Sequence, residues 1–210
     1  MGSDVYPERS MDEVEELAGE LSRTYSEDHN RSFLTVPVPV EDIAEHYLGY
    51  AIDFTDRGLF ADPEFLGGID FEQNTIYVNA SVQDHDGRYA FTVAHEIGHH
   101  VLHRETYLEN APDGEQEILC RDTREKPQIE LEADRFAAAL LMPSEAVQMA
   151  IAENTPKRKV TTIGQARGLA SDLIKEGQFS NVSNTAMVNR LIDLNIVPKV
   201  VGYQNGQFKG

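Results

Sequence analysis

Hydrophobic residues recur with two different periods along this chain of 210 residues. A spacing of three to four residues, typical of a helix with one buried face, predicts helices over residues 11–25, 41–48, 88–104, 128–142, 163–175 and 183–194, with a further helix beginning at Ser144. The signals typical of strands are confined to the stretch between the second and third of these helices. Grouped strands followed by consecutive helices predict an α+β fold.

The predicted strands lie at residues 50–55, 68–71 and 75–79. The last two flank a turn at residues 72–74, which predicts a β-hairpin and therefore a small antiparallel sheet. We expect strand 75–79 to be a sheet edge, where an extended peptide could dock by β-augmentation. The polar stretch 105–127 is predicted to be a long connection with little regular structure of its own.

This order of elements suggests three parts of the chain. Residues 1–36 are expected to form an N-terminal amphipathic helix and a linker. Residues 37–155 hold the strands and the two strongest helices, and are expected to form the core. Residues 156–210 are expected to form a C-terminal helical subdomain that packs on this core.

The charge of the chain is large and unevenly distributed. It contains 36 acidic and 18 basic residues, a net charge of −18, and only three of the acids follow residue 155, whereas eight of the basic residues do. Such an acidic chain is not expected to hold nucleic acid or an anionic membrane by bulk charge. We expect the acidic part to favour basic substrates and the basic C-terminal part to pack against it.

The cellular location can also be predicted from composition. Cys120 is the only cysteine, which excludes an internal disulfide and a cysteine-rich zinc site. The first thirty residues are acidic and lack the apolar run of a signal peptide, and no stretch approaches the roughly 18 apolar residues of a membrane span. We therefore expect a cytoplasmic protein.

The candidate chemistry starts in the helix predicted over 88–104. It contains His95-Glu96-Ile97-Gly98-His99, the H-E-x-x-H pattern. Two histidines four residues apart lie on one helix face and can bind a single metal ion, while the neighbouring Glu96 can reach a metal-bound water. The pattern therefore predicts the arrangement of a zinc peptidase, with His95 and His99 as ligands.

A third ligand is expected on the helix predicted over 128–142. Glu130 and Asp134 lie one turn apart on one face, while Glu132 points away and is expected to be solvated. In thermolysin-like peptidases a glutamate on such a helix completes the metal site, and the acid one turn later orients a ligand histidine. We therefore assign Glu130 as a ligand and Asp134 as support for a ligand histidine.

Two further histidines lie close to the pattern. His103 follows His95 by eight residues, about 12 Å along a helix, which is too far for both to bind one ion. His100 points about 100° away from His99. Both are expected to be surface or packing residues, although His103 and Tyr107 remain candidates for contacting the substrate or the oxyanion.

Two segments together resemble the ImmA/IrrE family of metallopeptidases, and the resemblance covers residues 37–197. One runs from Arg88 to His103 and includes the H-E-x-x-H pattern. The other comprises Glu130, Glu132, Ala133, Asp134, Phe136, Ala137, Ala138, Leu140, Leu141, Met142 and Pro143. Many family members have Asn where this chain has Asp134.

The resemblance implies a zincin-like core and a zinc-dependent endopeptidase whose substrate is a transcriptional repressor. It places one Zn²⁺ per chain on His95, His99 and Glu130, with Mn²⁺ as a second candidate. The ion would lower the pKa of its bound water and polarise the scissile carbonyl. Glu96 would act as general base and then protonate the leaving amine.

A function without catalysis is the alternative hypothesis. The chain could be a metal-binding regulator or antirepressor that binds a repressor or DNA without proteolysis. Residues 183–194 resemble the recognition helix of a helix-turn-helix, yet they carry one Arg and one Asp, and packing explains their apolar positions equally well. We therefore favour the structural interpretation of this helix and expect no direct nucleic-acid binding.

Overall fold

A computed structural model describes residues 6–32, 34–110, 119–122, 128–155, 160–198, 203–204 and 207–208; for 119–122 and the last two pairs it describes the backbone alone. The helices are α1 (Met11–Asp28), α2 (Val40–Asp42), α3 (Asp86–Asn110), α4 (Gln128–Leu141), α5 (Ser144–Asn154), α6 (Ile163–Glu176) and α7 (Asn184–Asp193). The strands are β1 (Ala51–Thr55), β2 (Phe65–Asp70), β3 (Thr75–Asn79), β4 (Leu119–Asp122), β5 (Tyr203–Gln204) and β6 (Gln207–Phe208).

Short helical turns lie between several of these elements. A π-helical turn, Ile43–Tyr47, continues α2, and 3₁₀ turns lie at Gly58–Ala61 and Ala80–Val82. The α+β class, the predicted helices and the β2–β3 hairpin are confirmed. In the described part of the chain, no helix combines the length and apolar character needed to cross a membrane.

The main sheet has the strand order β1-β3-β2-β4. β2 pairs antiparallel with β3 and β4, but β1 runs parallel to β3, so the sheet is mixed rather than wholly antiparallel. The prediction that strand 75–79 is an edge is wrong, because β3 is hydrogen-bonded on both sides. Among the described strands of this sheet, the edges are β1 and β4.

The stretch predicted to lack structure, 105–127, is partly regular. α3 continues to Asn110 and residues 119–122 form β4. The rest of that stretch, 111–118 and 123–127, lies outside the described residues. The prediction of little regular structure failed because it was based on polar composition. The last turns of α3 and the edge strand β4 need few apolar residues.

α1 begins with a capping box. The Glu13 backbone N–H donates to Ser10 Oγ at 3.2 Å, and the Ser10 backbone N–H donates to Glu13 Oε2 at 2.7 Å, so each residue satisfies a free helix-end N–H. Its buried residues recur every three or four positions. This buried face packs against α4, and it includes Val14, Ala18, Leu21 and Tyr25.

α3 is the central helix of the protein. Every residue from Thr92 to His99 is buried, which exceeds the single stripe that the periodicity predicts. The reason is that α3 packs against β2 and β3 on one side and against α4 on another. The polar pattern His95–His99 is thus placed in the interior, where charged and polar groups require partners.

One hydrophobic cluster joins residues of α1, the sheet, α3, α4 and α5 to residues of α6 and α7. Arg190 of α7 is 2% exposed and reaches across this cluster. Its Nε donates to the Met142 carbonyl at 2.9 Å, and its Nη2 donates to Glu15 Oε2 at 2.9 Å. At Arg190 the basic C-terminal region thus contacts the acidic part of the chain.

Candidate metal centre

Three predicted ligand residues converge between α3 and α4. His95 Nε2 lies 3.1 Å from His99 Nε2 and 3.3 Å from Glu130 Oε2, and His99 Nε2 lies 3.2 Å from Glu130 Oε1. The histidines are fully buried and Glu130 is 5% exposed. His95, His99 and Glu130 each offer one ligand atom to a group whose members lie within 4.8 Å of one another.

The chemistry of these atoms fits one divalent cation. A tetrahedral site with Zn–N bonds of about 2.0–2.1 Å has ligand-to-ligand edges of roughly 3.3–3.4 Å, close to the 3.1–3.3 Å separations found here. Glu130 Oε2 is buried, and the polar atom recorded nearest to it is His95 Nε2, another candidate ligand atom. Two imidazole nitrogens and a buried carboxylate oxygen facing one point are satisfied together by a cation.

The protonation states agree with this arrangement. Burial alone would raise the pKa of Glu130, but hydrogen bonds with His95 and His99, together with the charges of those rings, lower it to about 2. Burial lowers the pKa of His99, outweighing the hydrogen bond with Glu130, which acts in the opposite direction. Glu130 is therefore a carboxylate and His99 is neutral at pH 7, the forms that bind a metal.

Asp134 lies behind one candidate ligand. Its Oδ1 lies 3.0 Å from His95 Nδ1, on the opposite side of the ring from Nε2. A carboxylate at Nδ1 fixes the tautomer that leaves the Nε2 lone pair free for a metal. Glu130 and Asp134 lie one turn apart on α4, so a single helix provides both a candidate ligand atom and a partner for the His95 ring.

Glu96 is fully buried and faces the sheet. A Cβ built on Gly67 of β2 would lie 2.8 Å from Glu96 Oε1 and 2.4 Å from Thr92 Cγ2. Only glycine therefore allows β2 to approach this part of α3 so closely. The close strand confines the Glu96 side chain, the candidate general base.

A second glycine sets the distance between the two ligand-bearing helices. A Cβ on Gly98 would lie 3.2 Å from Ala133 Cα and 3.2 Å from Phe136 Cβ, tighter than ordinary contacts. Gly98 therefore lets α4 approach the face of α3 that carries His95 and His99. The sequence places Gly98 inside the pattern, but only the structure shows that it acts on helix spacing.

His103 and Glu132 form a buried pair behind His99. His103 Nδ1 lies 3.0 Å from His99 Nδ1, and His103 Nε2 lies 3.3 Å from Glu132 Oε2. Both residues are at most 1% exposed, so the expectation that Glu132 is solvated is wrong. The reason is that α4 is covered by α1 and the segment before it as well as by α3, and Arg9 reaches Glu132 from there.

The side chains of Tyr107 and His100 make their contacts with other parts of the protein. Tyr107 follows His95 by twelve residues on the same helix, about 18 Å along its axis, and its ring packs on Phe71 at 5.1 Å between centroids. His100 Nδ1 lies 2.8 Å from the Tyr50 hydroxyl, which agrees with a packing role. Both ring nitrogens of His103 lie within 3.3 Å of a polar atom of His99 or Glu132. A contact of His103 or Tyr107 with the substrate or the oxyanion stays a prediction.

Comparison with protein families gives an independent finding. The model of a peptidase family, M78, described as an IrrE N-terminal-like domain, matches residues 46–169. This range covers more than half of the chain and includes α3, α4 and the whole candidate metal centre. Among curated proteins, no relative matches the chain.

Proposed function

Because the chain belongs to peptidase family M78, we propose that it is a cytoplasmic zinc-dependent endopeptidase that cleaves a regulatory protein, with a transcriptional repressor as the candidate substrate. The convergence of His95, His99 and Glu130 on one point carries this proposal. Two imidazoles and one carboxylate suit Zn²⁺, and Mn²⁺ is the second candidate. A cation held there would act as a Lewis acid on the scissile carbonyl and on the attacking water.

The remaining chemistry is proposed for residues of the chain. Glu96, next to His95, would accept the proton of the attacking water and pass it to the departing amine nitrogen. The close approach of Gly67 confines this carboxylate, so little motion is lost when it acts. Asp134 would hold the His95 ring in the orientation that the ligand set requires.

A peptide substrate would bind most simply to an edge of the sheet. Among the described strands β4 is an edge, and it pairs with β2, the strand whose Gly67 approaches Glu96. An extended peptide paired with the outer side of β4 would lie two strand spacings, roughly 10 Å, from β2. We therefore propose β4, rather than β3, as the docking strand.

The charge distribution supports a protein substrate over nucleic acid. Arg190, the one basic residue of α7, is buried against Glu15, so its guanidinium does not face solvent. The acidic part of the chain would attract a basic partner, such as the DNA-binding surface of a repressor. Reversing surface acids near the site should slow cleavage, and unchanged cleavage rates would contradict this preference.

The variant Glu96→Gln tests the proposal, with Glu105→Gln, an exposed glutamate of the same helix, as the matched control. Each zinc-loaded protein is incubated with a lysate of the host cells, and new N-termini are identified by mass spectrometry. We expect the wild type and the control to generate the same specific N-termini and Glu96→Gln to generate none while still binding zinc. Equal cleavage by Glu96→Gln would exclude Glu96 as the base.

The same experiment addresses the function without catalysis. If neither the wild type nor the control generates new N-termini although both bind zinc, the result counts against cleavage of a protein in that lysate and favours a function by binding. A repressor that co-purifies with all three proteins would then support the antirepressor hypothesis.

A further inference from the structure

We infer that His103 and Glu132 form a positioning relay that fixes the tautomer and orientation of the ligand His99. This inference rests on the proposed metal site and adds two residues to it. Neither residue would touch the metal or the substrate, so both would act through His99. The inference is based on the contacts among the His99 ring, the His103 ring and the Glu132 carboxylate.

The direction of the hydrogen bonds follows from the metal side of His99. Its Nε2 faces His95 Nε2 and Glu130 Oε1, so with a cation bound between them Nε2 would offer its lone pair and Nδ1 would carry the proton. That Nδ1 lies 3.0 Å from His103 Nδ1, which must therefore accept. His103 then carries its own proton on Nε2.

The proton on His103 Nε2 points at a carboxylate. Glu132 Oε2 lies 3.3 Å away and can only accept when ionised. Glu132 is held in place by two donors to Oε1, the Arg9 backbone N–H at 3.0 Å and Gln128 Nε2 at 3.0 Å. The chain of donors thus runs in one direction, from His99 through His103 to Glu132.

The two ligand histidines are therefore supported in different ways. His95 has a carboxylate, Asp134, directly at its Nδ1, whereas His99 reaches its carboxylate through a second imidazole. His103 is one turn beyond His99 on α3 and lies between His99 and Glu132 of α4. Glu132 therefore acts on His99 only through the His103 ring. Arg9 links the relay to the segment that precedes α1.

The test measures zinc affinity of the full-length apo protein by competition with a chromophoric chelator. His103→Phe keeps a ring but removes both hydrogen bonds, and we expect it to weaken zinc binding about 10–100-fold. His103→Asn places an amide oxygen near the Nδ1 position and should recover much of that loss. His100→Phe, the neighbouring histidine bonded to Tyr50, is the matched control and should bind zinc like the wild type.

A double-mutant cycle separates a relay from packing. Glu132→Gln removes the charge behind His103 and should weaken zinc binding about 3–10-fold in the wild-type background. In the His103→Phe background the same change should have no further effect, because the relay is already broken. Independent effects that multiply in the double variant would overturn the inference.

The outcomes distinguish this inference from the proposed function. Circular dichroism of each apo variant shows whether it is folded, and His103→Asn and Glu132→Gln keep the test possible if His103→Phe does not fold. Unchanged zinc affinity in a folded His103→Phe protein, or an equal loss in His100→Phe, would overturn the relay alone. A wild type that binds no zinc or manganese would overturn the metal site and the relay together.

Discussion

Asp134 Oδ1 lies 3.0 Å from His95 Nδ1, across the gap between α4 and α3. This contact joins the two helices at the level of the candidate ligand atoms, so the packing of the helices and the orientation of the His95 ring depend on each other. Asp134 is on the same face of α4 as Glu130, whose carboxylate is the third candidate ligand. Several properties of the site can be predicted from this arrangement.

The first prediction concerns Asp134 itself. Asp134→Ala removes the acceptor at His95 Nδ1 and should weaken zinc binding about 10–100-fold. Asp134→Asn keeps an oxygen that can accept the same proton and should lose less than about tenfold. Chelator competition measures both affinities, with Asp28→Ala, an exposed acid at the end of α1, as the control. Equal losses in the Ala and Asn variants would show that charge, rather than the hydrogen bond, is what His95 requires.

The second prediction concerns the spacing of α3 and α4. Gly98→Ala adds a Cβ at 3.2 Å from Ala133 Cα and Phe136 Cβ, so the helices must separate by a few tenths of an ångström. We expect a loss of about 1–3 kcal/mol in the free energy of unfolding, typical of overpacking, and weaker zinc binding because Glu130 moves with α4. Gly164→Ala, where a Cβ meets nothing within 4 Å, is the matched control and should not weaken either property.

The third prediction concerns Gly67, whose substitution should lower the cleavage rate rather than the zinc affinity. A Cβ there would lie 2.8 Å from Glu96 Oε1, on the side of α3 that faces β2. Gly67→Ala should therefore displace Glu96 and lower the cleavage rate at least about tenfold, while zinc affinity stays within about threefold of the wild type because the ligands face α4. Cleavage and zinc affinity are measured on the same preparations. A variant that loses zinc and cleavage together would show that β2 positions the ligands as well.

The sequence predicts which side chains meet at the candidate site and much of the fold, and the reasons why some predictions hold and others fail are physical. His95, His99, Glu130 and Asp134 are brought together as their helical spacing predicts, because i and i+4 positions share a face whatever surrounds the helix. The burial of Glu132 does not follow from spacing, because it depends on α1 and Arg9, which are distant along the chain. Helix periodicity identifies one buried face and does not show that a second face is covered.

The sheet shows the same limit. The hairpin of β2 and β3 is local, and the turn between the strands predicts it. The parallel pairing of β1 with β3 and the addition of β4 join segments that are far apart in sequence, so no local pattern indicates them. The prediction that β3 is an edge failed for this reason. It required knowing that no strand pairs with the second side of β3, and the pairing with β1 could not be seen in the local sequence.

The fourth prediction concerns Arg190, which joins α7 to α1 through Glu15 and to the end of α4 through the Met142 carbonyl. Arg190→Ala leaves a partly buried carboxylate without its cation and should lower the free energy of unfolding by about 2–4 kcal/mol. Lys175→Ala, an exposed basic residue of α6, is the control and should change it by less than about 0.5 kcal/mol. Denaturant unfolding measures both. A change in DNA binding without a change in stability would instead favour the helix-turn-helix interpretation.

The last prediction concerns pH and His100. Burial, with the nearby positive charge of Arg104, lowers the pKa of His100 from 6.5 to about 4. In the unfolded chain the His100 ring takes up a proton near pH 6.5, whereas in the folded protein the ring stays neutral until about pH 4. The stabilisation that depends on the neutral ring is complete above pH 6.5 and is lost as the pH falls from 6.5 to about 4.

The variant His100→Asn isolates this contribution. It keeps a neutral group that can bond to the Tyr50 hydroxyl but cannot take up a proton in this range. We expect the wild type to be more stable than the variant at pH 7 and this advantage to shrink steadily as the pH is lowered to 4.5. Denaturant unfolding of both metal-free proteins at pH 7, 5.5 and 4.5 measures the difference. A difference that stays constant over this range would show that His100 titrates alike in the folded and unfolded states, and that its burial does not suppress its charge.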